Sequence, residues 1–144
     1  MSAEVLLDTN VLVYAFDADE PAKQRVAQEL LGRLGADGTA CVSSQVLGEF
    51  YVTVVRRFQG SMSAEMAARH VERFADLFEV HGSSLQIVLE ALRGVIRYRF
   101  SYYDAQIWAV ARLNHVPVVL SEDFAAGSEV EGVRFENPFA VPAD

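Results

Sequence analysis

Short apolar runs alternate with longer apolar stripes at helical spacing, which predicts an α/β fold with a parallel sheet covered by helices on both faces. Two runs, Val5-Leu6-Leu7 and Val118-Val119-Leu120, are apolar at every position, as strands buried on both faces tend to be. Both are followed closely by carboxylates, Asp8 after the first and Asp123 after Ser121-Glu122 for the second. In open parallel α/β sheets, ligands bind just beyond the carboxyl ends of the strands.

The elements follow in order. Residues 4–8 read as a buried strand and 10–16 as a short helix. Pro21 suits a first helical turn. The helix it opens carries Ala22, Val26, Ala27, Leu30, Leu31 and Leu34, with Gly35 as its expected end. Residues 39–43 form the next strand, and Ser43 or Ser44 caps a helix running to about Phe58. That helix has the stripe Val46, Leu47, Phe50, Tyr51, Val54, Val55 and Phe58. A helix over 63–77, a short strand over 78–81 and helices over 84–99 and 103–113 come next. Residues 116–120 are a strand, and 133–135 form a last one after a turn containing Gly127 and Gly132.

The 144 residues, 51% hydrophobic and 22% charged, suit one globular domain over 1–144. No apolar stretch approaches the roughly 18 residues of a membrane span. The opening Met1-Ser2-Ala3-Glu4 lacks a basic segment followed by an apolar core, and Cys41 is the only cysteine. A cytoplasmic protein without disulfides is the expectation. The net charge of −8 argues against a broadly basic nucleic-acid coat. Lys23 is the only lysine, so any nucleic-acid contact has to be local and arginine-based.

Four acids stand out: Asp8, Glu49, Asp104 and Asp123. Each has an ordinary explanation when taken alone. Asp8 or Asn10 can cap the following helix. Glu49 shares a helix edge with Gln45, Thr53 and Arg56, as a solvated face would. Asp104 lies three residues after Ser101, the spacing of a capping box, and Asp123 can start a turn. Together they describe carboxylates converging at strand ends and helix starts. Converging carboxylates resist ionising together, and a divalent cation resolves that conflict, pointing to a metal site and hydrolytic chemistry.

The motifs Leu7-Asp8-Thr9-Asn10, Gln45-Val46-Leu47-Gly48-Glu49-Phe50, Tyr103-Asp104-Ala105-Gln106-Ile107-Trp108 and Leu120-Ser121-Glu122-Asp123-Phe124 resemble the ordered acids of a PIN domain. The tail from Gly127 through Gly132-Val133 to Asn137-Pro138-Phe139 resembles the VapC-type toxins of that family. The resemblance covers residues from about 4 to 139. It implies a three-layer α/β/α PIN-like fold with a central parallel sheet of about five strands. It further implies a metal-dependent endoribonuclease, the toxin of a type II toxin–antitoxin pair, with Asp8, Glu49, Asp104 and Asp123 as its metal-binding quartet. A homodimer and a cognate antitoxin that sets a segment, with an arginine, against the acids are implied too. Ser121 stands where the family often has threonine and keeps the hydroxyl. Glu122 receives no role beyond facing solvent.

Mg²⁺ or Mn²⁺ suits an all-oxygen donor set, and His70, His81 and His115 are too scattered for a zinc site. The metal would activate water for in-line attack on phosphorus, without a protein nucleophile. Thr9, Asn10 and Ser121 are expected to orient the ligands by hydrogen bonds. Arg97 and Arg99, interleaved with aromatics before Asp104, and Arg56 with Arg57 are candidate RNA contacts. For Arg97 and Arg99 the preferred explanation is a helix end that buries Phe100 and Tyr102, with arginines favoured there by the dipole, and Arg56 and Arg57 are equally open to being surface charges. A phosphoaccepting receiver domain fits poorly, because the first strand lacks paired acids and the lysine is early. A catalytically silent PIN-like binding module or a housekeeping RNA-processing nuclease would compete with the toxin reading.

Overall fold

The computed structural model describes residues 3–140. Its elements are β1 (Val5–Leu7), α1 (Thr9–Tyr14), α2 (Pro21–Asp37), β2 (Ala40–Ser43), α3 (Ser44–Arg57), α4 (Ala64–Leu77), β3 (Glu79–His81), α5 (Leu85–Tyr98), α6 (Tyr102–Leu113), β4 (Val118–Leu120), β5 (Glu129–Val130) and β6 (Val133–Glu136). One sheet has the order β3-β2-β1-β4-β6-β5. Five strands run parallel, with Val5 opposite both Ala40 and Val118, while β5 pairs antiparallel with β6. The fold is therefore the expected α/β architecture, with one additional edge strand.

The chain steps outward from β1 through β2 to β3, then returns to β4 on the other side of β1. Right-handed crossovers in opposite directions place their helices on opposite faces. Accordingly α1 packs on α2 and α3, and α3 on α4, whereas α5 and α6 pack on each other. The reversal makes the carboxyl ends of β1 and β4 a topological switch point, where such sheets open a crevice.

Serines start four of the helices for the same reason. The hydroxyls of Ser43, Ser63, Ser84 and Ser101 accept hydrogen bonds from the backbone N–H groups of Val46, Met66, Ile87 and Asp104. The cap of α3 is Ser43, not Ser44. Helix α2 continues past Gly35, which faces Leu77 so closely that a Cβ would stand 2.6 Å from its side chain. It ends instead at Gly38, whose φ of 68° is the left-handed C-cap conformation.

β4 begins at Val118; residue 116 bonds through its N–H to Ala111 O and closes the turn from α6. The strand missed in the sequence, β5, turns into β6 through Glu131 and Gly132, both at positive φ as a two-residue hairpin requires. Trp108 Nε1 donates to Val130 O at 3.1 Å and ties this hairpin to α6. Trp108, Phe50 and Phe135 are the largest fully buried side chains. Gly94 on α5 admits the Trp108 ring, since a Cβ there would meet Cζ3 at 2.8 Å.

Candidate active site at the sheet switch point

Asp8 immediately follows β1, and its carboxylate has two local anchors. Oδ1 accepts from Thr9 N at 2.8 Å and Oδ2 accepts from Ser121 Oγ at 2.6 Å. Both explanations open in the sequence therefore hold at once: Asp8 caps α1 and faces the other acids. Only 8% of it is exposed. Burial pushes its pKa from 3.8 to about 6, helped by repulsion from Asp123 and Asp104 and opposed by the Ser121 and Thr9 hydrogen bonds.

The three small polar residues hold the acids in place. Thr9 Oγ1 donates to Glu49 Oε2 at 2.9 Å, and Gln45 Nε2 donates to Glu49 Oε1 at 3.0 Å. Asn10 Nδ2 donates to Asp123 Oδ2 at 3.2 Å, while Asn10 Oδ1 accepts from Glu122 N. Ser121 uses its full hydroxyl capacity. It donates to Asp8 and accepts from Asn10 Nδ2 at 3.3 Å and from Asp123 N at 3.0 Å. A hydroxyl is thus needed at 121, and serine supplies it.

Asp104 enters from the first turn of α6, where its N–H is taken by Ser101 Oγ at 3.2 Å. Burial raises its pKa, Ser101 lowers it, and Asp123 and Glu49 raise it further. Repulsion thus links Asp8 to Asp123 and Asp104, and Asp104 to Asp123 and Glu49. Among the described residues, no Lys or Arg forms an ion pair with any of the four.

Among the described residues, no three Asp, Glu, His or Cys side chains are gathered closely enough to enclose a metal ion alone. This arrangement still suits Mg²⁺, which keeps several waters and commonly takes only one or two carboxylates from the protein. The donor chemistry fits as well. The carboxylates repel one another, all candidate ligands are oxygens, and none is neutralised from the protein side.

Glu122 corrects an expectation. It accepts from Tyr14 OH at 2.5 Å and pairs with Lys23 Nζ at 2.7 Å, rather than facing solvent. Burial alone would raise its pKa, but Lys23 and Tyr14 bring it below the usual carboxylate range. Arg57 pairs with buried Asp17 at 2.9 Å. Arg97 lies over the Tyr98 ring, and Arg99 is the left-handed C-cap of α5. Phe100 beside them packs against Tyr98, Trp108, Phe124 and Phe135.

Two recesses flank the acids. One of about 290 Å³ is bordered by Asn10, Tyr14, Arg57 and Asp123. The other, about 560 Å³, is bordered by Glu49, Arg56 and Tyr103. Thr9 and Thr53 border both, and Arg97 and Arg99 border neither. A third recess, about 720 Å³ between α2 and the segment around Asn137, contains none of the four acids. Sequence reasoning places Gln45 on the edge of Glu49 without giving it a role. Its spacing of four residues from Glu49 is the available signal.

The fold is similar to several solved toxin structures. A toxin–antitoxin complex from Klebsiella pneumoniae matches with a TM-score of 0.71 at 18% identity, covering 95% of this chain and 99% of that one. The DNA-bound VapBC of Salmonella typhimurium matches with a TM-score of 0.66 at 20% identity, covering 94% and 98%. VapC20 of Mycobacterium tuberculosis, a sarcin–ricin loop cleaving toxin, matches with a TM-score of 0.63 at 23% identity, covering 80% and 86%. No curated protein matches the sequence. Residues 5–126 match the model of the PIN domain, and the chain belongs to the PIN domain family.

Proposed function

We propose that the chain is a metal-dependent endoribonuclease and the toxin of a type II toxin–antitoxin pair. The observation that carries this reading is the set of mutually repelling acids at the switch point, left without a cationic partner among the described residues. Asp8 and Asp104 are the principal ligands for Mg²⁺ or Mn²⁺, and Asp123 and Glu49 complete the site or orient water. When bound, the ion supplies charge neutralisation and polarises both the phosphoryl group and the attacking water.

The rest of the work belongs to the chain. Thr9 and Gln45 fix the two oxygens of Glu49, and Asn10 and Ser121 fix Asp123 relative to Asp8. Arg56, beside Glu49, is placed to meet an RNA phosphate, and this role extends to Arg97 and Arg99 only if RNA passes beyond the recesses. Purified protein with Mg²⁺ or Mn²⁺ should cut structured RNA, and Asp8→Asn should abolish cutting. Equal cleavage by that variant would identify a contaminating nuclease and overturn the assignment.

The partners follow from the same reading. The similar structures from Klebsiella and Salmonella contain toxin–antitoxin assemblies, which supports a cognate antitoxin whose arginine would offset the unpaired acids. A homodimer is supported by α5, whose exposed Leu85, Leu89, Leu92 and Ile96 repeat at the spacing of a self-pairing helix seam. No helix among the described residues is long and apolar enough to cross a membrane, and we place the protein in the cytoplasm. The rival reading is a silent binding module that keeps the fold and the acids without turnover. Absence of Mn²⁺ binding in a titration would establish that rival.

A further inference from the structure

We propose that the recess beside Glu49 receives one unpaired nucleotide of the RNA, with the Tyr103 ring as its stacking platform. The inference rests on the ribonuclease reading and adds a subsite to it. The recess measures about 560 Å³, within the usual range for small-ligand sites. Tyr103 is 66% exposed although it directly precedes Asp104. Its ring meets Tyr102 edge-on, with centroids 5.7 Å apart. A second apolar surface, Val52, is 56% exposed on the same recess. An aromatic face beside the reacting end of a site suits a base, because every base has a π-face.

Polar groups are distributed to match. Arg56 borders the recess and forms no ion pair among the described residues, whereas its neighbour Arg57 is held by Asp17. Gln45 also borders it, with Nε2 donating to Glu49 Oε1 at 3.0 Å. Arg56 provides a cation for the adjoining phosphate. Between them Gly48 leaves the wall bare: a Cβ there would meet nothing within 4 Å. Because an intact duplex keeps its bases stacked, the recess selects a looped-out or single-stranded position.

Gly48 also gives a clean test. Replacing it with leucine would fill the open space without a clash at Cβ, and leucine favours helix over glycine. The experiment measures binding of a fluorescein-labelled single-stranded oligoribonucleotide of mixed sequence in the Asp8→Asn background. The same recess variants in the otherwise wild-type chain are assayed for cleavage of structured RNA. Tyr103→Ala should weaken binding about tenfold, and Tyr103→Phe should retain it. Gly48→Leu should weaken binding and raise KM while melting no lower than wild type. Unchanged binding by both Tyr103→Ala and Gly48→Leu would overturn the subsite. So would a change in sedimentation that tracks these variants, which would make the face a contact between copies. If wild type cuts RNA and Asp8→Asn does not, those results bear on the subsite alone. If wild type neither binds nor cuts RNA, the ribonuclease reading falls and the subsite with it.

Discussion

The acids at the switch point and the acids around α5 and α6 are the same chemical group treated in opposite ways. Glu131 pairs with Arg93 and Arg112 and accepts from Tyr98 OH, while Glu90 pairs with the same two arginines. The Arg93 and Tyr98 hydrogen bonds, opposed by slight burial, hold Glu131 at about 2. Asp8 instead lies at about 6, because it is buried near Asp123 and Asp104 with only neutral donors to offset them. The contrast even separates sequence neighbours, since Glu122 has Lys23 and Asp123, among the described residues, has no Lys or Arg partner. The chain therefore pairs Glu90, Glu122 and Glu131 with its own cations and, among the described residues, gives none of the four acids at the sheet end a Lys or Arg partner.

The strongest way to break this comparison is to remove one of the unpaired acids. Asp8→Asn should lower RNA cleavage by at least about a hundredfold, a loss typical of deleting preorganised transition-state electrostatics. Cleavage in a fluorogenic RNA assay that stays within severalfold of wild type would place the chemistry elsewhere. A smaller effect is expected from Ser121→Ala, which strips Asp8 and Asp123 of a shared hydroxyl. Loss of such a supporting partner costs about 10- to 100-fold in metal affinity or activity. Ser121→Thr should keep most of both, and that rescue separates hydroxyl chemistry from mere packing.

Stability against pH sharpens the contrast further, because the two sets slope in opposite directions. Asp8 titrates near 3.8 when unfolded and at about 6 when folded, so between those values the folded state binds the extra proton. Metal-free stability should fall as pH rises through that window, by roughly 2–3 kcal/mol in all. Asp8→Asn should flatten this slope in urea melts, and an unchanged slope would remove Asp8 as its source. Glu131 has its folded value depressed from 4.5 to about 2, so its contribution is full above 4.5 and disappears as pH falls through that range. Glu131→Gln should destabilise by only about 1 kcal/mol at neutral pH, because the pairs are partly solvated. A stabilising effect would contradict the compensated set.

The sequence made the fold legible where local chemistry decides. Apolar runs marked β1 and β4, a serine at 43 or 44 marked the start of α3, and the Ser101–Asp104 spacing marked the start of α6. It failed where distant contacts decide. Gly35 and Gly38 look equivalent as helix stops until Leu77 packs against the first and the second takes a left-handed φ. β5 has only two residues, and its hairpin turns at a glutamate, an unusual residue for positive φ. At the site, order and motif singled out the four acids, and their places at strand ends and helix starts led to the expectation that they converge. Glu122 has no readable role in the sequence because its cation, Lys23, lies 99 residues away.

The central claim is that Asp8 and its neighbours are left unpaired for a divalent cation, and thermal melting at pH 7 tests it most directly. Without metal, Asp8→Asn should melt above wild type, since it removes a buried, repelled charge. With Mn²⁺ at about a thousand times its Kd, wild type should gain about 4.1 kcal/mol and overtake the variant, which should respond little. A wild-type melting temperature that Mn²⁺ leaves unchanged, or an equal rise in Asp8→Asn, would contradict the account.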